Sequence, residues 1–203
     1  MGTRGLYGIR KNGIDKATYN HWDSYPEALG KDIVKFCKNN GIEKLDKFFN
    51  LIELVDSESN PTDEQIVECM SAGYVDISVS EQSIDDWYCL LRGLQGNFKA
   101  YQKFIDNNAR VYMKDDITFI EDSLFCEYAY IINLDDNVLE FYKGFQQEPQ
   151  NGNRYGTEST YEGHDGTKYY PCKLIKTFPL GELNDVDAIV EAMDIAAENE
   201  YEN

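Results

Sequence analysis

Gly5-Leu6-Tyr7-Gly8-Ile9-Arg10-Lys11, then Asn12-Gly13, then Ile14-Asp15-Lys16-Ala17-Thr18-Tyr19-Asn20 is the stretch whose reading decides the fold. Asn-Gly between two such runs is a strong hairpin signal, because a two-residue type I′ turn needs positive φ at both central positions. Two short strands are therefore expected to meet at Asn12-Gly13. The second strand runs out into His21-Trp22-Asp23-Ser24-Tyr25-Pro26, a dense polar-aromatic cluster holding one of the protein's two histidines. Pro26 then stands where a helix can begin.

Beyond Pro26 the pattern turns helical. Leu29, Ile33, Phe36 and Cys37 fall at helical spacing, with Asn39-Asn40-Gly41 as a stop signal. A second helix is expected over residues 43–55, with Leu45, Phe48, Phe49, Ile52 and Val55 as its apolar stripe. Thr62-Asp63-Glu64-Gln65 has the form of a capping box. Residues 73–80 alternate briefly, as an edge strand would, and Ser83-Ile84-Asp85-Asp86 reads as another helix start. Gly93 and Gly96 are expected to break the segment before Phe98. The middle, roughly 26–108, is thus mostly helical.

After it the texture changes. Residues 110–114 read as a short strand and 125–134 as a longer one rich in aromatic and β-branched side chains. Asp135-Asp136-Asn137 makes a turn into a partner strand at 138–142. Residues 146–168 are polar and glycine-rich, a long flexible loop. Strand character resumes at 170–178, with Pro171 marking an edge or a strand start. A last helix, capped by Asn184 or Asp185, carries Ile189, Val190, Met193 and Ala197. The expected architecture is one α+β domain over 1–203. An antiparallel sheet gathers the N-terminal hairpin and the C-terminal strands, and the helical middle packs on it.

Composition narrows the function classes. The 203 residues include 42% hydrophobic ones, with 15 Tyr, 10 Phe and 2 Trp, which is ample material for a core. Against 19 Lys and Arg stand 37 Asp and Glu, a formal charge of −18. A field of that sign repels phosphate backbones and anionic membrane surfaces, and favours a partner protein with a basic surface. No apolar run has the length of a membrane span, and the opening residues lack the pattern of a signal peptide. Five scattered cysteines without a CxxC pair point to buried free thiols and a reducing, cytoplasmic setting.

Several residues carry candidate chemistry. On a strand, His21 and Asp23 would share a face and could act together as a general base, with His164-Asp165 as a further pair for a metal. No metal-ligand spacing is present, however, and no metal or cofactor is expected. The alternative is that His21 and Asp23 hydrogen-bond the turn into the helix. Tyr19, Trp22 and Tyr25 beside a helix start could wall a small-ligand site, with Arg4 nearby, or could simply staple hairpin to helix. Thr3 after Gly2 has the form of an N-terminal threonine nucleophile, but trimming of Met1 would leave Gly2 as the terminus. No phosphate loop, dinucleotide fingerprint or nucleophile elbow occurs.

The opening Gly2-Thr3-Arg4-Gly5, together with His21-Trp22-Asp23-Ser24-Tyr25-Pro26, resembles an uncharacterised family of phage, prophage and bacterial proteins with distant fungal members. In relatives the second motif often reads Trp-Asp-Gly-Tyr-Pro; here Ser24 replaces the glycine. Residues 126–130, 139–145 and 170–174 are similar to later segments of that family, and the helical middle is unmatched. The resemblance implies an accessory protein in a phage context, and it carries no catalytic role over to any residue here. Three readings follow. The first is a non-enzymatic acidic protein binding a host protein concerned with defence or takeover. The second is a binder of a small molecule or nucleotide signal through Tyr19, His21, Trp22, Asp23, Tyr25 and Arg4. The third is a hydrolase, threonine-nucleophile or metal-assisted.

Overall fold

In the computed structural model, which describes residues 2–201 (the side chain of residue 201 excepted), Asn12 and Gly13 take φ of 53° and 75°. The expected turn thus joins β1 (Gly5–Lys11) to β2 (Ile14–Asn20), with Lys11 opposite Ile14 and Gly5 opposite Asn20. Asp135 locks it from outside: its carboxylate accepts from the Asn12 and Gly13 backbone N–H groups at 2.6 and 2.9 Å.

The chain is α+β, but its five-stranded sheet is mixed. The order is β2-β1-β5-β6-β9, with β5 Tyr128–Asn133, β6 Val138–Lys143 and β9 Lys173–Pro179. β1 and β5 run parallel, from Gly5 opposite Tyr128 to Arg10 opposite Asn133, which corrects the expectation of an antiparallel sheet. Segment 21–127 leaves and re-enters the sheet at the same end, so β5 is antiparallel to β2 in direction. It docks on the free edge of β1 instead of on β2, and that choice makes the pair parallel. A crossover of this length makes such a pairing possible.

Most of the helices pack on one face. A π-helical turn, Pro26–Gly30, feeds α1 (Lys31–Leu51), which continues through the expected stop with a kink at Gly41 (φ 62°, ψ 176°). The helix ends earlier than its apolar stripe implied. Ile52–Val55 is a strand, β3, paired in parallel with β4 (Val111–Lys114) in a separate two-stranded sheet. The Lys16 ammonium caps the change by donating to the carbonyls of Phe49 and Ile52 at 3.0 and 2.6 Å. Helix α2 (Asp63–Ala72) has the full Thr62–Gln65 capping box. Asp86 caps α3 (Trp87–Leu91), and Asn97 caps α4 (Phe98–Asn107). Residues 73–80 form turns and bends, not an edge strand, although Asp76 N–H bonds Cys89 O and Gly93 N–H bonds Tyr74 O. Helix α5 (Val186–Tyr201) starts where the Asp185 carboxylate accepts from Ala188 N–H at 3.1 Å.

Tyr7, Ile9, Tyr130, Ile132, Leu139 and Phe141 face this helical layer in one continuous core. Leu6, Ala17, Ala129, Ile131 and Tyr142 face the other way, against Ile120, Cys126 and Cys172. All five cysteines are buried and unbridged. The segment 146–168 covers part of that second face and is tethered, not free. Arg154 grips Glu140, Asn153 Nδ2 donates to Cys172 O at 3.0 Å, and Thr160 Oγ1 donates to Glu121 O at 2.7 Å. It also contains most of a small hairpin, β7 (Tyr161–Glu162) with β8 (Lys168–Tyr169).

Candidate functional site

The segment after β2 is shaped by its buried polar groups. Asn20 Nδ2 donates to Trp22 O at 2.5 Å and to Ser24 Oγ at 2.8 Å. Ser24 is wholly buried; its N–H donates to Thr3 O at 3.1 Å and its carbonyl accepts from Tyr130 OH at 2.9 Å. Gly5 lies against it. A Cβ on Gly5 would stand 2.7 Å from Ser24 Cβ and 2.4 Å from Tyr128 O, so only glycine admits this approach. The left-handed residue of the motif is Asp23 (φ 51°), not position 24, so Ser24 needs no glycine-like backbone. Asp23 O then accepts from Leu29 N–H at 3.1 Å and starts the helical path.

This geometry separates the residues expected to act together. Strand β2 ends at Asn20 and Asp23 turns with positive φ, so strand alternation does not carry His21 and Asp23 to one face. His21 pairs with Tyr19 instead, Nδ1 to hydroxyl, at 2.7 Å. Its ring meets Trp22 edge-on at 4.2 Å, while Tyr19 also contacts Phe119 at 5.0 Å. Partial burial, helped by the positive charges of Arg92 and Arg4, holds the His21 pKa below its ordinary value. Burial raises the Tyr19 hydroxyl, against the pull of the same two arginines. The positive charges of Arg92 and Arg4 that act on His21 disfavour a cation beside it. Among the described residues no group of three or more His, Cys, Asp or Glu is arranged to bind a metal. His164-Asp165 sits in the β7–β8 turn, where Asp165 accepts from Thr167 N–H at 3.0 Å. For Thr3, the hydrolase reading turns on processing at the terminus, and Met1 lies outside the described residues.

Trp22 and Tyr25 are 52% and 40% exposed. Trp22 also leans on the start of the chain, for a Cβ on Gly2 would fall 2.1 Å from its ring. Arg4 leaves the same end of the sheet, with its guanidinium 4.9 Å above the Phe125 ring. Three further aromatics that the sequence did not single out are exposed there: Phe125, Phe145 and Tyr161. Phe125 precedes β5, Phe145 follows β6, and the Tyr161 ring is 6.3 Å from that of Phe125. Phe145 is held outward at φ 58°, a conformation rare for a bulky residue. Its N–H is fixed to Ser123 O at 2.7 Å, and Lys143 lies beneath the Tyr128 and Phe145 rings at 4.2 and 5.4 Å. Exposure of this kind depends on where chain ends meet in space, so no local pattern announces it.

Clefts of about 660, 650 and 360 Å³ lie between α2 and α4, α1 and α4, and β9 and α5, and none of them is lined by Tyr19, His21, Trp22 or Tyr25. The site is a set of exposed side chains at one end of the sheet. It belongs to an α+β protein whose mixed sheet presents an aromatic end. Compared with family models, curated proteins and solved structures, the chain matches none. No helix among the described residues is long and apolar enough to cross a membrane.

Proposed function

We propose that the protein is a non-enzymatic binding protein that grips another protein with the aromatic end of its sheet. One observation carries this reading: the exposed aromatic side chains Trp22, Tyr25, Phe125, Phe145 and Tyr161 all gather where β1 and β5 begin and β2 and β6 end, with Arg4 among them. Trp, Tyr and Arg are the residues that dominate interface energetics, Trp and Tyr because they bury large area at low entropic cost and Arg because its planar fork makes several directed hydrogen bonds. Single exposed apolar residues are ordinary, but a cluster marks contact. Exposed Asp23, Glu27 and Glu162 fringe the same end, in a chain of net charge −18. The partner is accordingly a protein with an apolar recess and a basic rim, approached by electrostatic steering. The resemblance to phage and prophage proteins suggests a host defence or takeover target in the cytoplasm. Nucleic acid and membrane surfaces repel the same charge.

The test is crosslinking capture in extract of the source cell, with wild type beside a Trp22→Ser/Phe125→Ser double variant. A protein captured by wild type at low salt, weakened by salt and lost from the variant supports the reading. Equal capture by both chains would refute it.

A further inference from the structure

A second surface, built from elements that contribute nothing to the aromatic end, has the form of a small-molecule site. Helix α2 has two apolar stripes. Ile66 and Cys69 face the core, whereas Val67 and Met70 stand 62% and 55% exposed. Val67 and Ser71, one turn apart on α2, and Tyr74 just past its left-handed Gly73 cap form one wall of the α2–α4 cleft; Lys103, Phe104 and Asn107 of α4 form the other. The Tyr74 and Phe104 rings lie 6.0 Å apart, in contact with the main core. The cleft volume of about 660 Å³ is that of a pocket for a small organic molecule.

The charges of the lining are unequally engaged. The Glu68 carboxylate accepts from Tyr112 OH at 2.7 Å. Arg110 lies 3.2 Å from Glu53, and its guanidinium donates to Tyr112 OH at 3.1 Å. Lys103 has no ion pair or hydrogen bond among the described residues. In a protein of formal charge −18, the lining itself carries two cations, Lys103 and Arg110, against one carboxylate, Glu68, and Lys103 is the one of the three without a polar partner among the described residues. From this geometry we infer that the cleft binds a small molecule with a flat apolar body and a single anionic group. The body lies against Tyr74, Phe104 and Val67, and the anion meets Lys103 at the mouth.

Anilinonaphthalene sulfonate, which has this chemistry, is the probe. Its fluorescence titration should show saturable binding, displaced by naphthoate at lower concentration than by naphthylmethanol and least by naphthylmethylamine. Lys103→Gln should weaken the probe about three- to fivefold, the scale of one exposed charge pair. Ser71→Trp, at an exposed position, should fill the cleft and remove the site with the far-UV spectrum unchanged. The Lys103 variant keeps the test decisive if the Trp variant does not fold. Undiminished binding in a folded Ser71→Trp chain, indifference to Lys103→Gln, or preference for the amine would overturn the inference. So would a dimer that Ser71→Trp dissociates without any probe binding, which would make the cleft a self-association face.

Discussion

Tyr7 shows how much one hydroxyl can organise. It lies on β1 under α4, with its oxygen 2.6 Å from Tyr101 OH and accepting from Gly96 N–H at 2.9 Å. Burial pushes its pKa up to about 12, although both hydrogen bonds pull the other way. Tyr7→Phe keeps the ring but takes a partner from the buried Tyr101 hydroxyl and from the half-buried Gly96 N–H, which costs about 1–3 kcal/mol. Urea unfolding should show a lower midpoint with an unchanged slope. His21 makes a second prediction at this scale. Its folded pKa lies below the ordinary value, so the fold favours neutral imidazole. The stability this confers is fully present above the unfolded pKa near 6.5, and is lost as pH falls through that value toward the folded one. Wild type should lose more stability than His21→Gln between about pH 7.5 and 5.5. An NMR titration placing His21 above its ordinary value would show that Arg4 and Arg92 do not act on it.

At the scale of elements, Glu140 on β6 is the tie between sheet and covering segment. Its buried carboxylate takes both Nη atoms of Arg154, Asn133 Nδ2 at 2.8 Å and Tyr142 OH at 2.9 Å. Removing one side of such a pair leaves a buried charge, at a cost of about 3–5 kcal/mol. Arg154→Leu should destabilise by that order, and far less in a Glu140→Gln background; additive losses in a double-mutant cycle would sink the assignment. No sequence spacing announces this pair, because the two residues meet only after β6 turns and the segment folds back over it. Elements set by neighbours were legible: the Asn12-Gly13 turn, the Thr62 box, the last helix's start at Asn184 or Asp185 (Asp185 makes the cap), and the edge strand marked by Pro171, which begins at Lys173 and not at residue 170. Elements set by distant partners were not. Ile52–Val55 continues a helical stripe and also suits a strand, and only β4, far along the chain, decides it. The parallel β1–β5 pair is likewise a choice of edge that local pattern cannot encode. The candidate site divides the same way. Trp22 and Tyr25 stand out by composition, whereas Phe125, Phe145 and Tyr161 join them only through the sheet.

At the scale of the whole molecule, charge acts on fold and on partner with opposite signs. The surplus of 37 acidic over 19 basic residues is concentrated when the chain becomes compact, and self-repulsion then opposes folding. Ion pairs such as Lys11–Asp46 and Lys31–Asp187 offset part of it, but pairs this exposed are screened by water and contribute little. Salt weakens both effects. The repulsion sums over many unpaired carboxylates, so its relief should dominate. Raising ionic strength from about 0.01 to 0.15 M shortens the screening length from about 30 to 8 Å, less than the width of the molecule. The urea midpoint should therefore rise over that range. Association with the proposed basic partner would depend on the same field for its encounter rate, so binding should slow over the same range while dissociation, set in that proposal by the aromatic contacts, changes little. Unfolding and surface-bound association kinetics measured on one salt series separate the two. A midpoint that falls with salt would show that the ion pairs, not the surplus, govern the fold. An association rate indifferent to salt would remove the acidic surface from the recognition and leave the aromatic end to act alone.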